Sequence, residues 1–197
     1  ASFAGWNIAN AGGSSAVWRI YEGHTAPLLR SFLTPLTLAD TSTTYNGATQ
    51  SGVTTASAVL GSAASGRNVG IYDGYYSAQQ GFDITGGSLI LTPLTITGSI
   101  TGGGNTYGSA LAAGSAMLSG VLTNDIVTPG SVTVSTAGMT QSSSLNWNAG
   151  TYTGVQSVGS TLTGADAGNY VFAGTTGSYT IDPLTITGSI TGGGNTY

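Results

Sequence analysis

PLTITGSITGGGNTY, residues 93–107, is the stretch that decides the fold, because all fifteen residues recur unchanged at 183–197, 90 positions later. Self-similarity at a fixed period is the signature of a repeat architecture. Within the stretch Leu94 and Ile96 alternate with Thr95 and Thr97. A period of two places one face of a strand in a core and the other in water. Gly102, Gly103 and Gly104 follow as a tight turn between strands, since glycine enters positive φ without steric cost. They are no phosphate loop, lacking the Gly-Lys-Ser/Thr ending that supplies its chemistry.

Working outward, a weaker copy lies upstream. Pro35-Leu36-Thr37-Leu38 leads to Thr44-Tyr45-Asn46-Gly47 as Pro93-Leu94-Thr95-Ile96 leads to Thr106-Tyr107-Gly108. The interiors align too, with residues 68–74 (NVGIYDG) matching 148–154 (NAGTYTG). Each module closes on a strand and a proline, residues 88–93 (SLILTP) and 178–183 (SYTIDP). This divides the chain into a short module at 35–92, a long module at 93–182 and the start of a third at 183–197. The two complete modules measure 58 and 90 residues, so longer hairpins are expected in the second. Residues 1–34 hold Trp6, Trp18, the only His (His24) and the only Glu (Glu22). They read as the tail of a preceding domain or as a cap, which repeat arrays need at an open end.

Composition points the same way. Of 197 residues 40% are hydrophobic and only 5% charged, and 33 are glycine; an average chain carries about 25% charged residues. Disorder needs low hydrophobicity and high net charge, and a membrane helix needs about 18 consecutive apolar residues. Neither is present in the sequence. A turn-rich β protein remains. Val132 and Val134, Tyr170 and Phe172, and Tyr179 and Ile181 repeat the alternation of Leu94 and Ile96. The expected fold is all-β: tandem small antiparallel modules, sandwich-like or β-grasp-like, in an elongated array. A continuous β-solenoid is the alternative, but coils of about 20–30 residues do not divide the chain evenly. Residues 109–118 (SALAAGSAML) are Ala-rich enough for a helical turn or two, interrupted by Gly114.

The motif set resembles the YDG/MBG-type repeats of filamentous-haemagglutinin-like exoproteins of Gram-negative bacteria. The residues that carry it are Pro-Leu-Thr-Ile-Thr at 93–97 and 183–187, Thr-Tyr-x-Gly at 44–47, and Asn-x-Gly-x-Tyr at 68–72 and 148–152. Residues 162–170 (LTGADAGNY) are the most specific, and 18–23 (WRIYEG) with 27–29 (PLL) resemble the segment preceding such repeats. Tyr45-Asn46-Gly47 and Tyr107-Gly108-Ser109 depart from the family's Tyr-Asp-Gly turn. The resemblance implies secretion through an outer-membrane partner to the cell surface, and roles in adhesion, aggregation or biofilm. It implies no catalytic residue.

Charge and residue types exclude much else. Seven acids face three arginines and no lysine, net −4; counterion release on nucleic acid or attraction to anionic lipid needs a basic patch, and none can be assembled. Expected partners are neighbouring modules or copies of the chain, and a host or bacterial surface glycan, with no nucleic acid and no membrane insertion. Without lysine there is no Lys–Asn isopeptide bond. No enzyme, cofactor or metal is expected. His24 is the single imidazole and no Gly-x-Ser-x-Gly elbow accompanies it. The carboxylate pairs Asp73 with Asp83 and Asp125 with Asp166 sit in turn-like contexts, where Asp bonds local backbone. Asp166 is expected in an Asx-type turn leading into residues 170–172. One binding surface is suggested by the sequence: exposed Tyr72, Tyr75 and Tyr76, beside Gly74, could stack on sugar rings, though tyrosine is also a good cross-strand pair.

Overall fold

The structure, a computed structural model, describes residues 3–53, 61–75 and 81–195. Among these the chain is all-β: nineteen short strands and two 3-10 turns, with no α-helix. They fall into two compact units.

The first unit comprises Ala1–Thr95 with Leu122–Ile126 and Ala165–Val171. Its opening segment forms a small sheet of β1 (Ile8–Ala9), β2 (Trp18–Arg19) and β3 (Leu28–Leu29), then a 3-10 turn at Arg30–Phe32. Then come β4 (Thr34–Leu38), β5 (Thr41–Thr44), β6 (Gln50–Ser51), β7 (Ser65–Gly66), β8 (Gly70–Tyr72), β9 (Phe82–Gly86) and β10 (Leu89–Thr92). β4 runs parallel to β9. β10 lies between β5, parallel, and β8, antiparallel. Leu89 and Leu91 of β10 point inward and are buried with Ala64, while Ile90 and Thr92 face the other side. Each of these leucines contributes on the order of 2 kcal/mol by burial. A second cluster gathers Tyr21, Leu38, Tyr75 and Ile84. The segment 1–34, read from the sequence as a tail or cap, thus shares a core with the short module through Tyr21.

The second unit comprises Ile96–Val121, Val127–Gly164 and Phe172–Tyr197. Its strands are β11 (Leu94–Thr101, from Ile96 on), β12 (Gly104–Thr106), β13 (Ser115–Ser119), β14 (Thr128–Pro129), β15 (Thr133–Val134), β16 (Gly150–Val158), β17 (Leu162–Thr163), β18 (Tyr170–Phe172, of which Phe172 alone belongs here) and β19 (Thr175–Asp182). β19 is central in the order β12-β19-β16-β15. Val155, Tyr179 and Ile181 form the core, with Tyr107, Trp147 and Tyr152 packed against it. Gly102 and Gly103, both at positive φ, make the expected turn between β11 and β12. The Ala-rich residues 109–118 are not helical. Ser115–Ser119 pairs antiparallel with β11, from Thr97 opposite Ser119 to Thr101 opposite Ser115. Alanine's helix preference is a few tenths of a kcal/mol per residue, and strand pairing overrides it.

The sheets are mixed rather than antiparallel: β4–β9, β5–β10 and β12–β19 are parallel pairs. Alternation in sequence reports which face is buried and carries no information on strand direction.

The two modules use one pairing scheme. In the first unit Gly70, Ile71 and Tyr72 lie opposite Leu91, Ile90 and Leu89. In the second, Gly150, Thr151 and Tyr152 lie opposite Ile181, Thr180 and Tyr179. Across the central strand, Ser42, Thr43 and Thr44 run beside Ile90, Leu91 and Thr92, as Gly104, Asn105 and Thr106 run beside Thr180, Ile181 and Asp182. The Tyr72 hydroxyl donates to the Asn68 carbonyl at 2.7 Å, and the Tyr152 hydroxyl to that of Asn148 at 2.8 Å. Tyr45 N–H donates to Thr92 and Tyr107 N–H to Asp182. Sequence alignment and hydrogen-bond register agree residue by residue.

The repeated fifteen residues adopt two states. The copy at 93–107 supplies β11 and β12, with Ile96 only 3% exposed. The copy at 183–195 forms no strand, and its Ile186 and Ile190 are 88% and 98% exposed. β11 is held by β13 and by Phe172 packing over Gly98. No described residue plays those parts for the second copy.

Candidate functional site

Among the described residues the first unit carries a cavity of about 310 Å³. Asn10, Gly12, Arg19, Glu22 and His24 from the opening segment form one side. Asp73, Gly74 and Tyr75, after β8, and Ile84, Thr85 and Ser88, around the end of β9, form the other.

Close backbone approach builds this wall. A Cβ on Gly12 would strike the Ile84 carbonyl, one on Gly74 the Gly86 carbonyl, and one on Gly86 the Leu38 carbonyl. Beneath it Asp83 lies between two arginines. Its Oδ2 accepts from Arg30 Nη1 and from Gly13 N–H at 3.2 Å. Its Oδ1 stands 3.6 Å from Arg19 Nε, an ion pair buried on both sides. Arg30 also donates to the carbonyls of Ala16 and Ala11 and to Ser14 Oγ. Arg19 donates to the Ile20 carbonyl and lies 4.1 Å over the Tyr21 ring, a cation–π contact. The Tyr21 hydroxyl donates to Phe82 O at 2.7 Å and accepts from Ile84 N–H at 3.0 Å. The opening segment is thereby tied to β9, and the guanidinium on the cavity wall is fixed before any ligand arrives.

The sequence expected an exposed tyrosine row. Tyr75 is instead 8% exposed, packed with Tyr21 and Ile84, and Tyr72 is half-buried against Leu89 and Leu91. Tyr76 lies outside the described residues. β8 sends alternate residues to opposite faces, so the outward side chain there is Ile71. Of the carboxylates read as turn residues, Asp125 and Asp166 do lie in turns, with Asp125 N–H donating to Leu122 O and Asn169 N–H to Asp166 O. Asp83 is a strand residue in an ion pair, and Asp73 borders the cavity with His24 and Glu22. Asp166 leads into β18 through the 3-10 turn Ala167–Asn169, and its Oδ2 accepts from Ile126 N–H rather than from its own turn. Among the described residues no cluster of three or more His, Cys, Asp or Glu could hold a metal ion. No helix there is long and apolar enough to cross a membrane.

Asp125 forms a second polar centre in this unit. Its Oδ2 accepts from the hydroxyls of Tyr45 at 2.7 Å and Tyr170 at 2.6 Å, and its Oδ1 is 3.9 Å from Arg67 Nη2. Tyr45 and Tyr170 stack edge to face, centroids 5.5 Å apart. The bond from Tyr170 holds the Asp125 carboxyl below the usual carboxylate range. Burial, then the neighbouring carboxylate, pushes the Tyr170 phenol up to about 12, and the same causes raise Tyr45. Asn169 completes the region, bonding Val69 N–H and the Asn68 side chain. In the second unit the matching tyrosine, Tyr107, donates instead to Ser142 in the longer hairpin of that module. Pairs separated by 80 and 45 positions leave no signal in the sequence. Gln156 is equally illegible: fully buried, it accepts from Gly114 N–H and donates to the carbonyls of Gly102 and Ser178.

No family model, curated protein or solved structure matches this chain.

Proposed function

We propose that the chain is a structural repeat region of a secreted bacterial surface protein, spacing or assembling an extracellular fibre in adhesion, aggregation or biofilm. The observation that carries this reading is the shared register: two modules pair the same positions in the same directions, although their insertions differ. A unit reused this way acts through its number and its packing. The neutral, hydroxyl-rich surface and the absence of lysine support an exposed extracellular role, since trypsin-like proteases find only three cleavage points. The resemblance to YDG/MBG-type repeats supports the same assignment.

The test is to append one, two and three further copies of residues 93–182 and follow particle length by small-angle scattering and electron microscopy. A constant increment in maximum dimension per copy is expected. Chains that collapse into one compact globule would overturn the proposal.

A further inference from the structure

The cavity in the first unit has a chemistry that the repeat function does not use. At about 310 Å³ it sits at the lower end of the range for small-molecule sites, room for a single ring-sized ligand. Three of its wall glycines are backbone contacts at which a Cβ would collide, so its shape is built into the packing.

The polar lining selects the ligand. Arg19 and Asn10 offer donors, Glu22 and Asp73 offer acceptors, and the Thr85 and Ser88 hydroxyls can do either. The charge of Arg19 is already opposed by Asp83, which Arg30 shares. The carboxylates of Glu22 and Asp73 therefore dominate the lining and repel an anion. An apolar ligand would desolvate both carboxylates and return no hydrogen bond. A ring carrying several hydroxyls satisfies all of these groups at once: it donates to Glu22 and Asp73 and accepts from Arg19 and Asn10.

We propose that this cavity binds one neutral sugar ring of a surface glycan, with Glu22, Asp73 and Arg19 as its polar contacts. The inference goes beyond the repeat function and does not depend on it: the array could form with the cavity empty.

The test is saturation-transfer NMR on the 197-residue chain, titrated with glucose, galactose and N-acetylglucosamine. N-acetylneuraminic acid and glucosamine serve as the anionic and cationic comparators. Saturable transfer is expected from at least one neutral sugar. Asp73→Asn and Glu22→Gln, each nearly isosteric, should each weaken it about tenfold, the usual loss of one hydrogen bond to a charged group. Ile71→Ser, on the exposed face of β8, should leave it unchanged. Thermal melts of all variants, matched to wild type, separate lost binding from lost folding. No saturable transfer from any neutral sugar would overturn the proposal. Undiminished binding in the Asp73→Asn, Glu22→Gln double variant would do so too, as would binding confined to either charged comparator.

Discussion

The duplicated stretch allows a controlled measurement of what tertiary structure adds. Ile96 and Ile186 occupy the same place in identical sequence, so strand propensity and unfolded-chain terms cancel between them. Ile96 is 3% exposed and Ile186 88%. Replacing isoleucine with alanine removes three carbons. At about 0.8 kcal/mol per buried methylene the transfer loss at Ile96 is roughly 2.4 kcal/mol, and the cavity left behind raises it to about 3 kcal/mol. At Ile186 only about a tenth of the side chain is covered, and the expected loss is about 0.3 kcal/mol. Urea denaturation followed by Trp147 emission reads this directly, because Trp147 packs against the second unit's core while Trp6 and Trp18 belong to the first. Ile96→Ala should lower the stability of that unit by about 3 kcal/mol and Ile186→Ala should be silent. A loss above about 1 kcal/mol at Ile186 would mean that the second copy is paired in solution, and the contrast drawn between the copies would fail.

Four further outcomes are expected. Asp125→Ala strands the buried hydroxyls of Tyr45 and Tyr170 and should cost about 3 kcal/mol; a loss under 0.5 kcal/mol in denaturant titration would contradict the geometry. Tyr170 has its folded pKa raised to about 12, so its contribution is full below pH 10 and fades as pH climbs from about 10 to 12. Tyr170→Phe should flatten that part of the alkaline stability profile, and an unaltered profile would refute the assignment. Asp83→Ala leaves Arg19 buried without its counter-charge and should cost about 3–5 kcal/mol by thermal or chemical unfolding, whereas wild-type stability would show that the pair is solvated. Gly66→Ala places a methyl inside the Tyr72 ring and should cost about 1–3 kcal/mol. Gly168→Ala, where a Cβ meets open space, is the neutral comparator, and equal effects at the two glycines would argue against the packing.

The strand positions were legible because they rest on local terms. The alternation of Leu94 with Ile96 and of Tyr179 with Ile181 names a buried face, and Gly102 and Gly103 name a turn. The aligned residues 68–74 and 148–154 take equivalent places in the pairing. Sites were legible only as residue types. Tyr75 was singled out and does border a cavity, but as a packed side chain rather than an exposed platform. Its neighbours Arg19, Glu22 and His24 come from a segment that the sequence set apart. Asp83 read as a turn residue because a local window contains none of its partners, and Asp125, which does lie in a turn, bonds tyrosines far away in sequence.

By itself the sequence determined that this protein is all-β and that it repeats, since backbone periodicity and turn chemistry act over a few residues. Tertiary structure decided strand direction, the partner of every buried carboxylate, and whether one fifteen-residue stretch is a strand or not. The reason is physical: a strand has no hydrogen-bond partner within itself, so these residues pair at 94–106, where β13, β19 and Phe172 flank them, and form no strand and lie exposed at 183–195, where nothing described does.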